Sequence, residues 1–188
     1  VVGDDDLGWF MTNRLTEAGV DQEHVRRDRS VPTGVSLILD RGDDRAILTA
    51  PGAITALTDE DLAGLPVRPA RHVHVSSYFL MSDRYRAALP ETLRRFRAAG
   101  VTTSLDPNWD PSGRWDLADV LGEVDVLLPN ANELLAATGT DGLERALADH
   151  RLLGCDVVVK QGAQGAVARV GGVTASVTGD PAVFVSVS

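Results

Sequence analysis

The chain has 188 residues, 44% of them hydrophobic and 24% charged, the balance of one globular domain large enough to bury a core. A net charge of -9 and a pI near 4.8 exclude a broad nucleic-acid surface, because phosphate backbones demand clustered cations, so any phosphate partner is expected to be small and held locally. No apolar run approaches membrane-spanning length, which leaves no membrane partner and makes the cytoplasm the default, and Cys155, the only cysteine, excludes an internal disulfide.

In chain order, Leu7 to Ala18 has helical pattern and Gly19 closes it. Two short strands, Gly34 to Asp40 and Arg45 to Ala50, flank the turn Arg41-Gly42-Asp43-Asp44 and make a hairpin. From residue 72 onward short apolar runs alternate with helices, the signature of parallel βα units. His72 to Ser76, Val101 to Leu105, Val124 to Leu128 and Asp156 to Lys160 read as strands. The helices between them are Asp83 to Ala99, Trp115 to Leu121, Glu133 to Thr138 and Leu143 to Leu153. Ala166 to Val170 and Val173 to Val177 form a second hairpin, and Pro181 to Ser188 reads as a final strand. The expectation is an α/β, three-layer, doubly wound and mostly parallel sheet, in one domain over 1–188 with a small β-hairpin lid at 33–50.

Three polar clusters fall at consecutive strand ends, the edge at which open α/β sheets bind ligands. Asp106-Pro107-Asn108-Trp109-Asp110 is the first; it is also an ordinary turn initiator. The second is Pro129-Asn130-Ala131-Asn132-Glu133, in which an amide and a carboxylate can hold a hydrated metal or phosphate. Asn130 and Glu133 also make a helix capping box of good form, and on the residues alone capping is the favoured reading of the two. The third, Lys160-Gln161-Gly162-Ala163-Gln164-Gly165, contains the only lysine of the chain and glycines whose amides can converge on an anion, or simply turn into a hairpin. It lacks the Gly-Lys-Ser/Thr ending of a Walker loop. His24, His72, His74 and His150 have no metal-ligand spacing and are given no role.

The ordered series resembles the PfkB, or ribokinase, family of carbohydrate kinases. It runs from Val2-Gly3-Asp4-Asp5-Asp6-Leu7-Gly8 through Ala18-Gly19-Val20-Asp21, Thr33-Gly34 and Gly42-Asp43-Asp44-Arg45 with Pro51-Gly52-Ala53. Leu105 to Trp109 with Trp115, Leu128-Pro129-Asn130 with Glu133, and Val158 to Gly162 with Gly165 complete it. The resemblance implies ATP-dependent phosphorylation of a sugar hydroxyl, with ATP and Mg2+ as cofactors. It implies substrate contacts from Thr33, Gly34, Ser77, Asp106 and Asn108, nucleotide contacts from Asn130, Lys160, Gly162 and Gly165, and a metal role for Glu133. The hairpin would be a lid, and a homodimer could form through it.

The chain departs from the family pattern in places. An Arg often follows the Asp-x-Asn segment closely, whereas here Asp110 stands there and Arg114 is displaced; Ser77 occupies a position where many members have glycine. A strand with a Gly-Gly-Asn-type sugar segment would precede Val1, and a Gly-Ala-Gly-Asp segment with the catalytic Asp would follow Ser188. The expectation is therefore a domain truncated at both ends, with no catalytic base within 1–188 and no turnover by this chain as it stands. The alternatives are a nucleoside kinase of the same fold, a non-catalytic sugar- or nucleotide-binding relic and, more remotely, a phosphate-binding oxidoreductase.

Overall fold

The computed structural model describes residues 1–40 and 45–179, which gather into two compact units. The first comprises Val1–Leu65 and Leu80–Arg86; the second comprises Pro66–Phe79 and the residues from Ala87 on. The hairpin at 33–50, expected as a lid within a single domain, belongs to the first unit. Its turn at residues 41–44 and the final strand expected at 181–188 lie outside the described residues.

In the first unit, β1 (Val2–Gly3) pairs in parallel with β2 (Arg27–Asp28), a two-residue contact too short to leave a periodicity in the sequence. Helix α1 (Asp6–Glu17) starts at Asp5, whose Oδ1 accepts the Gly8 N–H at 2.8 Å, and Gly19 follows it at φ 73. The same carboxylate accepts the Thr33 N–H at 2.8 Å and the Thr33 hydroxyl at 2.6 Å, while Thr33 Oγ1 accepts the Gly3 N–H at 2.9 Å. The Thr33 hydrogen bonds foremost, with the backbone donors beside them, hold the Asp5 carboxyl below the usual carboxylate range. Packing here is backbone against backbone, since a Cβ on Gly8 would stand 2.1 Å from Gly3 O.

Strands β3 (Val35–Asp40) and β4 (Arg45–Ala50) pair antiparallel from Val35↔Ala50 to Asp40↔Arg45, within one residue of the expected bounds. Helix α2 (Asp59–Ala63) lies beside an ion-pair cluster: Arg26 grips Asp61 through Nε–Oδ1 at 2.7 Å and Nη2–Oδ2 at 2.8 Å, and Asp28 through Nη1 at 2.9 Å. The Arg26 guanidinium, ahead of the Thr58 donors, depresses the Asp61 carboxyl to about 2.

The second unit is a six-stranded sheet in the order β10-β9-β8-β7-β6-β5. Strands β5 (His72–Val75), β6 (Thr102–Leu105), β7 (Val126–Leu127) and β8 (Asp156–Lys160) are parallel, and β9 (Ala166–Val170) with β10 (Val173–Val177) continues the sheet antiparallel. The connections carry α3 (Asp83–Ala98), which belongs to this unit from Ala87 on, α4 (Ala118–Leu121), and α5 (Ala131–Thr138) with α6 (Leu143–Leu147). Successive parallel strands lie side by side in chain order, and right-handed crossovers then bring these helices to one face. The register agrees: Val75, Leu105, Leu127 and Val157 stand opposite one another in a single row, and all four are buried. On the other face His72 and His74 are exposed and share the Ser104 hydroxyl, at 2.7 and 2.8 Å, a structural role for both.

Two helices are shorter than their pattern suggests. Trp115 does not open a helix: it sits at φ 53 with its N–H held at 2.7 Å by the buried Asp110, which also takes the Ser112 N–H and hydroxyl, so α4 begins only at Ala118. The apolar period from Leu143 to Leu153 is cut at Asp149, whose backbone is extended and whose carboxylate caps a separate 3-10 turn at His150–Leu152.

A carboxyl near 2 in the folded chain, against its ordinary 3.8, contributes stability above about pH 4 that is lost as the pH falls toward 2. Asp61→Asn is therefore expected to flatten the fall of Tm between those pH values, and equal slopes in variant and parent would contradict this assignment. The turn glycines separate by a second test. Gly162 sits at φ 57 with open space around it, whereas a Cβ on Gly165, at φ 95, would meet Val177 O at 2.0 Å. Gly162→Ala is expected to cost about 1–2 kcal/mol in urea unfolding, and Gly165→Ala upwards of ~3 kcal/mol; the reverse order would show that the β10 contact is misplaced.

Candidate active site

Parallel pairing of β6, β7 and β8 carries their carboxyl ends to one edge, and the three polar clusters meet there. Lys160 ends β8, bridges in parallel to Asn130, and donates its N–H to Pro129 O at 2.9 Å. Its ammonium passes over the end of β7 to Asp106 at the end of β6, with Nζ–Oδ2 at 2.5 Å. Asp106 Oδ1 takes the Asn108 N–H at 3.1 Å, which folds the chain back after the strand. Asn108 stands at φ 58 and Ser77, at the end of β5, at φ 59, a region where glycine is at ease and other residues are uncommon. That geometry accounts for glycine at the Ser77 position in the resembled family. Their side chains approach at 3.5 Å, Asn108 Nδ2 to Ser77 Oγ.

Asn130 and Glu133 form the capping box: Asn130 Oδ1 accepts the Glu133 N–H at 2.9 Å and Glu133 Oε2 the Asn130 N–H at 2.8 Å. Capping uses only half of each side chain. Among the described residues, Asn130 Nδ2 and Glu133 Oε1 have no hydrogen-bond partner, although Glu133 is only 5% exposed. Burial pushes the Glu133 carboxyl up and neighbouring Asp106 adds to this, while the Asn130 N–H and Lys160 oppose it.

The second unit thus brings together Ser77, Asp106, Asn108, Asn130, Glu133 and Lys160, with Gly162 and Gly165 in the turn directly after Lys160. Thr33 and Gly34 stand in the first unit, where the Thr33 hydroxyl is committed to Asp5 and Gly3, and a Cβ on Gly34 would meet Pro51 O at 2.6 Å. Asp110, in the neighbourhood where the resembled family often has an arginine, is 4% exposed and organises the turn to Trp115. Sequence reasoning missed this role; the one signal for it was the Asp110-Pro111-Ser112 run, whose polar side chains favour turns.

The donor set is compatible with a magnesium ion of one kind only. No group of three or more His, Cys, Asp or Glu side chains suited to a metal occurs among the described residues, so an all-protein cage is not offered. A single buried carboxylate with one unpartnered oxygen, beside an amide and an ammonium, fits a cation that keeps its waters and is bound mostly through phosphate oxygens. No helix among the described residues is long and apolar enough to cross a membrane.

Comparison with known proteins gives the family. The chain is 36% identical over 136 residues to the ATP-dependent ribose-1-phosphate kinase of Halopiger xanaduensis, a match covering 72% of this chain and 44% of the relative. To the aminoimidazole riboside kinase of Salmonella typhimurium it is 30% identical over 178 residues, 88% of this chain and 55% of that protein. The chain thus spans about half the length of the curated relatives it matches. A fructokinase from Vibrio cholerae, solved with fructose, ADP and calcium bound, superposes with a TM-score of 0.76 at 27% identity, covering 95% of this chain and 61% of that one. The family model described as pfkB family carbohydrate kinase matches residues 1–187, and the chain belongs to that family.

Proposed function

We propose that this chain forms part of an ATP-dependent kinase that phosphorylates a hydroxyl of a sugar or riboside with Mg2+ bound. The observation that carries this reading is the junction of three strand ends through the Lys160–Asp106 ion pair and the Asn130–Glu133 box. Lys160, the Asn130 side-chain amide and the turn amide at Gly162 are assigned to the nucleotide phosphates, for which an ammonium and N–H donors are suited, and Gly165, whose N–H is donated to Gly162 O at 3.0 Å, is assigned to shaping that phosphate turn. Glu133 is assigned to a water of the metal through Oε1, an outer-shell role. Glu133 would hold a magnesium ion through that water, and the ion would supply neutralisation of the phosphate charge. Asp106, Asn108 and Ser77 are assigned to the sugar, as acceptors and donors for its hydroxyls. Thr33 and Gly34 enter the reading on their motif alone.

The kinase is taken to act in the cytoplasm on small molecules. The hairpin β3–β4, with Leu37, Ile38, Ile47 and Leu48 between 41% and 59% exposed, is proposed to be covered by a second copy of the chain.

The test is phosphate transfer from ATP by the full-length gene product to fructose, ribose 1-phosphate and aminoimidazole riboside, and turnover of none would overturn the reading. Glu133→Gln keeps a capping-box residue and should fold normally, yet is expected to lower Mg2+-dependent turnover by about 10- to 100-fold. Kinetics equal to the parent at every magnesium concentration would remove Glu133 from the metal site.

The riboside reading has one observation in its favour. Trp109, next to Asn108, is 53% exposed while its ring is braced edge-on by Trp115 at 5.0 Å, a fixed aromatic surface on which a base could stack. Under that reading Trp109→Ala raises KM for aminoimidazole riboside by about tenfold and leaves KM for fructose unchanged. Equal changes for both substrates would return the preference to simple sugars.

A further inference from the structure

Behind the Asn130–Glu133 turn, on the helix-covered side of the sheet, lies a cavity of about 280 Å³. Its walls are apolar, formed by Trp115, Leu117, Leu121, Leu127, Leu134 and Leu152, nearly all of them buried. The exposed charged residues Arg114, Asp116 and Arg151 mark its open side. Arg151 is tied to Asp149 and to Thr138 O, and Arg114 to the Ser112 hydroxyl, so neither reaches inward as a free anion receptor. Glu133 is the one buried charged residue in the lining, and its Oε1 has no hydrogen-bond partner among the described residues.

Apolar walls of this size admit a single ring or a fused pair, since roughly 150 Å³ already holds a benzene. A carboxylate oxygen with no protein donor is open to one N–H or O–H from a ligand, a charge-assisted hydrogen bond made beside apolar walls. Carboxylate ligands are disfavoured, because they would set a second negative charge against Glu133 in a desolvated space. The geometry points to a binding site for an uncharged phenol- or indole-type ring, its hydroxyl or ring N–H donated to Glu133 Oε1 and its body against Trp115 and Leu134. A ligand there would also compete with the metal-held water assigned to Glu133; that consequence rests on the proposed function, whereas the site itself does not.

The test reads binding alone, by NMR titration of the chain with p-cresol and with toluene, which has the same shape without the hydroxyl. Intermolecular NOEs from the p-cresol ring to the Trp115 indole and the Leu134 methyl groups are expected. Binding of p-cresol should be about tenfold tighter than that of toluene, the contribution of one hydrogen bond to a charged acceptor. Ala137 also lines the cavity, and Ala137→Phe, which fills it, is expected to abolish binding of both while leaving the spectrum folded. No binding up to the solubility limit, equal affinity for the two compounds, or NOEs to residues elsewhere would each overturn the proposal. Should the filled variant fail to fold, the NOEs in the parent chain decide the matter.

Discussion

Lys160 spans from the end of β8 to Asp106 at the end of β6, and the candidate site depends on that reach. It is possible only because β6, β7 and β8 are parallel and adjacent, which aligns three carboxyl ends within the length of one lysine side chain. The same pairing sets the N-terminus of α5 beside them, where the Asn130 amide and the partial positive charge of the helix favour an anion. Two carboxylates and one ammonium then share the edge. Lys160 balances Asp106, but Glu133 remains, and its carboxyl is pushed up by burial. A nucleotide adds further negative charge while Lys160 is already paired with Asp106, which is the physical reason for proposing magnesium here.

The capping box also leaves atoms free for the proposed function. Asn130 caps with its oxygen and Glu133 with one of two oxygens, which leaves an amide donor and a carboxylate acceptor unspent. The cap fixes both side chains in place, and the unspent atoms are thereby aimed without the entropy that ordering two free side chains would cost. Thr33 shows the opposite case. Its hydroxyl and amide are both committed within its own unit, in a network anchored by Asp5.

What was legible in the sequence was what short-range pattern encodes. The apolar runs marked β5, β6 and β8, and Gly19, read as the close of the first helix, stands just past its end at positive φ. The meeting of Asp106, Asn130 and Lys160 followed from strand polarity and chain order alone. The failures have specific physical causes. Trp115 has the apolar character of a helix start but is held at positive φ by Asp110, a side-chain contact that periodicity does not register. Asp149 interrupts an otherwise good apolar period by hydrogen-bonding its own neighbourhood, and only the cap geometry reveals it. The β1–β2 pair joins residues 25 apart through two positions each, below the length at which alternation can be seen. The cavity behind Glu133 depends on how far α4 and α5 stand from the sheet, a distance that no local pattern records.

The identity of the cation at position 160 is itself an argument. Every other basic residue in the chain apart from the histidines is arginine, and several of these are locked in ion pairs, Arg26 on Asp61 and Arg151 on Asp149 among them. An arginine at 160 could grip Asp106 with two parallel hydrogen bonds and would be slow to surrender it. Lysine offers a compact point charge on a flexible stem, and the pair it makes is well exposed, with 49% of the lysine side chain and 28% of the aspartate side chain accessible. Exposed pairs of that kind contribute about 0–1 kcal/mol. Under the proposed function, exchanging Asp106 for a phosphate oxygen would cost the fold little and would free the carboxylate as an acceptor for the sugar. An ion pair of that strength would, under the same reading, order these strand ends and give way to ligands, which a bidentate arginine pair in the same place would resist.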